Sequence, residues 1–258
     1  MILSFIRKSN QFFEGFGNYA IFFKETVRWI FKPPFDFKNL IQNLLEIGYK
    51  SIPVTSITIF FTGMVMALQI GNAMEAQMPG SSIYIGSAVT IAMFRELAPV
   101  LTALLLAGRV GSAIAAQIGT MKVTEQIDAL ITLSANPIQY LSVPRFISCV
   151  IMTPSLTVIS GFIGVLGGGV IGYFGLGISP EQYFSNVVKY TTAMDFLSGI
   201  IKSVFFGIEI SIISTYEGFK TTGGAEGVGQ STITAVVKSS MVILISDYFL
   251  TYLLQLVG

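Results

Sequence analysis

Five apolar runs dominate this sequence, at approximately 52–74, 84–118, 146–174, 195–216 and 232–256. Each holds about 20 residues or more, the length that carries an α-helix across a hydrocarbon core of about 30 Å. Lipid offers no water to bond the backbone, so such a run satisfies its N–H and C=O groups by coiling into a helix. The expected fold class is an all-α membrane protein with five transmembrane helices. Charge supports this, since only 11% of residues are charged, against about 25% in an ordinary soluble domain. A net charge of +1 gives no case for a nucleic-acid partner. The absence of histidine removes imidazole acid–base chemistry and most transition-metal sites. Cys149, the single cysteine, sits in an apolar run and reads as buried packing.

Residues 1–50 differ from the rest. They hold seven of the fifteen Lys and Arg, interleaved with Phe5, Phe12, Phe13, Phe16, Tyr19, Phe22, Phe23, Trp29 and Phe31. This is the pattern of amphipathic helices lying at a membrane interface, broken by Pro33 and Pro34. The expected division is thus 1–50, interfacial helices, and 51–258, a five-helix transmembrane domain. The N-terminal segment and the links at 119–145 and 217–231 carry ten basic residues, and the links at 75–83 and 175–194 carry only Lys189. That bias puts the N-terminus and the first group of loops in the cytoplasm, and five spans put the C-terminus outside. No signal peptide is expected, because the apolar stretch before Arg7 and Lys8 is too short and no small-residue cleavage site follows. Small residues, Gly108, Gly111, Ser112 and Ala115 in one span and Gly161 to Gly172 in the next, offer flat faces for close helix contact.

An ionisable residue inside a span must face protein, water or cargo rather than lipid tails. Arg95 and Glu96 head the stretch FRELAPVLTALLLAGRVG (94–111). Neighbours on a helix lie about 100° apart, so these two do not neutralise each other. Pro99 has no N–H for the carbonyl of Arg95, so that carbonyl needs another partner. Arg95 lies fourteen residues from Arg109, about 21 Å along a helix. If Arg109 marks the cytoplasmic boundary, the pair sits in the outer half of the membrane. In a shorter register it is only a headgroup boundary. Asp195, Lys202 and Glu209 recur at spacing seven and share one helix face to within about 20° per step. That stripe suits a water-accessible cavity or an inter-helix ion pair. Asp247 lies near the middle of the last span, with Lys202 or Glu209 as possible partners, and Lys238 lies close enough to the cytoplasmic end to snorkel.

On the expected cytoplasmic side, residues 122–135 predict a short amphipathic helix. Thr124 is a candidate cap, Glu125 and Asp128 are acidic residues for its first turn, and Ile127, Leu130 and Ile131 share one face. Such a helix either lies on the membrane or fits a groove on a soluble partner, and its acidic turn suits an anionic leaflet poorly. The stretch GAEGVGQS (224–231) comes close to a phosphate-binding loop, but Gln230 stands where lysine is needed and a membrane span precedes it. No ATP hydrolysis by this chain is expected.

The segment FRELAPVLTALLLAGRVGSAIAAQIGTMKVTEQIDAL (94–130), with NPIQYLSVPRF (136–146) after it, closely resembles the MlaE (YrbE) permease family. Length, amphipathic N-terminus, five spans and loop order agree along the whole chain. The resemblance implies a non-catalytic permease of the bacterial inner membrane, acting as a homodimer with two copies of an ABC ATPase that binds ATP and Mg. It also implies an MCE-domain protein on the periplasmic side, often a STAS-domain partner, and phospholipid as cargo moved between inner and outer membranes. It places Arg95 and Glu96 at a lipid cavity, with Lys202 and Asp247 as polar positions in later spans. It makes 122–135 the coupling helix, with Glu125, Ile127, Asp128, Leu130 and Ile131 docking the ATPase, and no cofactor in this chain. Two residues depart from the pattern: Ala98 stands where glycine is commoner, and Gln117 where glutamate is. Arginine suits a phosphate through its planar donor fork, and Glu96 beside it would keep an anionic headgroup from being held too tightly.

Two other classes compete. A proton- or ion-coupled carrier would use the intramembrane charges as a relay, but the chain shows no inverted repeat. A membrane-embedded enzyme is disfavoured, since the sequence holds no histidine and offers no Ser–Lys or paired-Asp arrangement that can be placed on facing helices.

Overall fold

A computed structural model describes residues 17–33 and 36–257. The expectations placed on Phe5, Arg7, Lys8, Phe12, Phe13, Phe16 and Pro34 lie outside the described residues. Helix α1 covers 17–30, α2 covers Phe37–Ile47 and α3 covers Ile52–Gln77. The second span is one helical rod with two π turns: α4 (Ile85–Ala92), a π turn at Met93–Leu97, α5 (Ala98–Leu106), a second π turn at Ala107–Gly111, and α6 (Ser112–Val123). The short α7 (Gln126–Thr132) and a π turn at Ile138–Ser142 lead into α8 (Val143–Leu176). Then follow α9 (Pro180–Tyr190), α10 (Ala193–Phe219) and α11 (Gly224–Val257). Five segments are long and apolar enough to cross a membrane, and there is no strand among the described residues. The chain is an all-α, multi-pass membrane protein.

Small residues set how closely the rods pack. A Cβ at Gly63 of α3 would lie 2.0 Å from the Gly164 carbonyl oxygen of α8, and one at Gly167 only 2.3 Å from that of Phe60. The two backbones touch along this seam, as van der Waals packing in lipid favours. Gly108 meets nothing within 4 Å, so it takes no part in such a face. One apolar cluster gathers Leu106, Ile118, Cys149, Phe206, Ile210 and Ile243 at the α7 end of the bundle. A second gathers Ile59, Val89, Met93, Phe94, Val165 and Tyr183 at the α9 end. The outward faces stay apolar, with Met241, Ile245, Tyr248 and Tyr252 of α11 all exposed. That surface is what a lipid-facing helix presents.

Helix α1 docks through Phe22, which packs with Phe146 and Ile212. Tyr19 also hydrogen-bonds Glu217, and Lys238 Nζ lies 2.7 Å from the same carboxylate. Burial, followed by the Glu217 carboxylate, pushes the Tyr19 phenol pKa up, so it remains a donor. On α2, Ile41 and Leu45 are exposed, an apolar flank of the kind met at a membrane interface.

Two elements differ from expectation. The 175–194 link carries a helix, α9, whose start is an ordinary cap: the Ser179 side chain accepts from Gln182 N–H, with Pro180 and Glu181 in the first turn. Tyr183 anchors it, fully buried, its hydroxyl donating to the Val165 carbonyl at 3.0 Å. Helix α7 has seven residues rather than about twelve. Thr124 is the last-turn cap of α6 and not the start of α7. Glu125 (φ 59°) and Ser134 (φ 58°) both adopt left-handed backbone, which ends a right-handed helix on either side.

Candidate functional site

Pro99 sits in the first turn of α5, directly after the π turn that carries Arg95 and Glu96. It has no N–H to bond back to the Arg95 carbonyl. The replacement donor comes from α10: Lys202 Nζ reaches that carbonyl oxygen at 3.0 Å. Close approach of α10 depends on Gly199, where a Cβ would stand 2.1 Å from the Phe94 carbonyl oxygen.

Lys202 is 1% exposed and its ammonium is saturated. Its three protons match three acceptors, the Arg95 carbonyl, Glu96 Oε2 at 2.7 Å and Thr251 Oγ1 at 2.7 Å. Asp247 Oδ1, at 3.0 Å, is an ion-pair partner lying off the hydrogen-bonding directions. Thr251 donates in turn to the Asp247 carbonyl at 2.7 Å. Arg95 turns the other way and pairs through Nε with Asp195. Asp195 is buried in a capping box at the start of α10, accepting from the Thr192 N–H at 2.7 Å and the Thr192 hydroxyl at 2.9 Å. Two cations, Arg95 and Lys202, thus face three carboxylates, Glu96, Asp195 and Asp247.

The cluster lines a cleft of about 140 Å³ between α10, α11 and the π turn. Arg95 and Glu96 face it with side chains 46% and 43% exposed. Ser198, Thr251 and Gln255 add polar atoms, and Met194 and Leu254 add apolar wall. The structure therefore brings Arg95, Glu96, Lys202 and Asp247 together. Asp195, on the predicted stripe, joins them. Glu209 does not; its carboxylate accepts from Ser246 at 3.1 Å. Thr251 and Gln255 were not singled out in the sequence, although Thr251 lies one turn beyond Asp247, a spacing that places the two together on α11.

Register follows from Arg109, whose Nη1 donates to the Glu46 carbonyl at 3.3 Å at the corner between α2 and α3. Arg109 lies level with the start of α3, and Arg95 stands well inside the rod towards the α9 end. At the α7 end, Arg145 is buried, donating to the Leu141 carbonyl at 2.8 Å and to Gln117 Oε1 at 3.1 Å, with its Nε unpartnered. Of the predicted docking residues, Ile127 is buried and Leu130 packs with it against the bundle core. Glu125, Asp128 and Ile131 are exposed, joined by Leu133, 78% exposed. Residues 224–231 open α11 and present no lysine to a phosphate.

Similarities to known proteins bear on this arrangement. A family model described as Permease MlaE matches residues 40–253. A probable ABC transporter permease protein of Rickettsia typhi is 44% identical over 244 residues, covering 95% of this chain and 93% of that protein. A probable ABC transporter permease protein of Synechocystis is 46% identical over 217 residues, covering 84% and 82%. The chloroplastic protein TRIGALACTOSYLDIACYLGLYCEROL 1 of Arabidopsis thaliana is 39% identical over 227 residues, covering 88% of this chain and 64% of its own length. Five apolar spans, a charged cluster at the first π turn of the second span and a match along most of the chain lead to one assignment: the chain belongs to the MlaE permease family.

Proposed function

We propose that this permease is the membrane subunit of an ABC-type transporter that moves phospholipid between the inner and outer membranes of a Gram-negative envelope. The observation that carries this reading is the Arg95–Glu96 cleft, where a guanidinium and a carboxylate line one partly open site between apolar spans. A diacyl lipid needs an apolar setting for its tails and a few polar groups for its phosphate, and guanidinium is suited to phosphate. The Arabidopsis relative carries a diacylglycerol lipid in its name, which supports lipid as cargo.

Energy comes from a partner ATPase that holds ATP and Mg, docked on the exposed flank of α7 through Glu125, Asp128 and Ile131. Ile127 and Leu130 hold α7 to the bundle, so a push on that flank reaches the core. The working unit is a homodimer in the inner membrane, N-terminus cytoplasmic and C-terminus periplasmic. An MCE-domain protein covers the periplasmic side, and a STAS-domain protein joins the cytoplasmic one. Helices α1 and α2 lie at the cytoplasmic interface.

Reconstitution with the partner ATPase tests the reading. Labelled phospholipid is expected to move only when ATP is hydrolysed, with a proton gradient alone giving no movement. Gradient-driven movement without the ATPase would establish the ion-coupled carrier instead.

A further inference from the structure

The charges of the cleft are divided unequally between exposed and buried groups. Asp195 and Lys202 are 2% and 1% exposed, so neither meets an incoming headgroup directly. The exposed charges that line the cleft are one guanidinium and one carboxylate on adjacent residues, Arg95 and Glu96, each nearly half exposed, whereas Asp247 is 20% exposed and lies outside the cleft lining. Arg95 spends only Nε on Asp195, and a guanidinium has further donors on its terminal nitrogens. Glu96 gives Oε2 to Lys202 at 2.7 Å and makes only a long 3.4 Å contact to Thr251 through Oε1. The cluster as a whole, with two cations against three carboxylates, carries one net negative charge.

We propose that this cleft selects a zwitterionic phospholipid headgroup, its phosphate on Arg95 and its ammonium on Glu96, over a headgroup of net negative charge. The proposal rests on the phospholipid reading above and adds the charge class of the cargo. A phosphoethanolamine headgroup answers both exposed charges. An anionic glycerol headgroup answers Arg95 alone, leaving Glu96 with only Lys202 and bringing a negative charge towards a cluster already negative. Two unit charges at about 4 Å interact by roughly 1 kcal/mol even in water, and the cleft is only partly open to water. Arg95 and Glu96 are the two exposed charged groups that the cleft presents beside the polar atoms of Ser198, Thr251 and Gln255, so discrimination falls on headgroup charge.

The test is native mass spectrometry of the full-length chain in detergent, given an equimolar mixture of phosphatidylethanolamine and phosphatidylglycerol with identical acyl chains. Bound phosphatidylethanolamine is expected to exceed phosphatidylglycerol by about fivefold, the ratio that ~1 kcal/mol produces. Gln255→Lys adds a cation at the exposed rim without touching the buried network and is expected to shift the ratio towards phosphatidylglycerol. Glu96→Gln is expected to shift it the same way. Equal binding by the unaltered chain, or a ratio that neither variant moves, overturns the selectivity while leaving phospholipid as cargo. Retention of neither lipid overturns the phospholipid reading as well.

Discussion

Lys202 Nζ donates to the main-chain carbonyl of Arg95 at 3.0 Å, supplying from α10 the hydrogen bond that Pro99 cannot make within its own rod. The same ammonium holds Glu96 and faces Asp247, so one buried charge joins three helical segments. Its removal leaves two carboxylates without a cation. Lys202→Met is expected to destabilise the chain by about 1–3 kcal/mol, because it strips a donor from the Arg95 carbonyl and from two partly exposed carboxylates. Denaturant unfolding in mixed micelles measures this. Adding Glu96→Gln and Asp247→Asn to the same variant should recover part of the loss. A single variant as stable as the parent would show that the network bears no weight.

Gly199 and Gly108 predict opposite outcomes for one substitution. Gly199→Ala forces α10 off the Phe94 carbonyl and is expected to cost about 1–3 kcal/mol, as overpacking does. Gly108→Ala enters open space and should be neutral or stabilising by up to ~1 kcal/mol through helix propensity. Thermal unfolding of the two variants side by side decides it; equal losses would contradict the packing described.

Arg145 is buried against the neutral amide of Gln117, with Nε unpartnered. Gln117→Glu places a carboxylate where a guanidinium already waits, and charge-assisted hydrogen bonds are worth about 1.5–3 kcal/mol. The melting temperature is expected to rise. A fall would mean that burying the new carboxylate costs more than the pairing returns.

Helix α7 separates docking from folding. Ile131→Asp alters an exposed side chain and is expected to reduce co-purification of the partner ATPase by tenfold or more, equivalent to about 1.4 kcal/mol of binding, with the melting temperature unchanged. Leu130→Asp buries a charge against the core cluster and should lower stability first. If Ile131→Asp retains the ATPase in full, the partner docks elsewhere.

The five spans were legible because lipid thickness sets a length and lipid chemistry sets a composition, and both are visible in a single run of residues. Arg95 and Glu96 were legible because a charge among apolar residues is costly wherever the helix lies. Their partners were not: Asp195 and Lys202 stand about a hundred residues away, and spacing along one chain says nothing of which helices adjoin. Pro99 did announce an unpaired carbonyl at Arg95, but not that a lysine would fill it. Helix α9 went unread although Ser179, Pro180 and Glu181 form a legible start, because the helix is only eleven residues long and weakly apolar. The extent of α7 went unread because left-handed backbone at Glu125 and Ser134 occurs at residues that carry no glycine signal.

The central claim is that Arg95 and Glu96 hold a phospholipid headgroup, and counting bound lipid tests it most directly. Phospholipid per chain is measured by mass spectrometry after identical purification of the parent and the double variant Arg95→Gln/Glu96→Gln, which leaves net charge unchanged. The parent is expected to retain phospholipid at a fixed stoichiometry, and the folded double variant to retain it about tenfold less tightly, a difference of ~1.4 kcal/mol. Equal retention by the two would contradict the account.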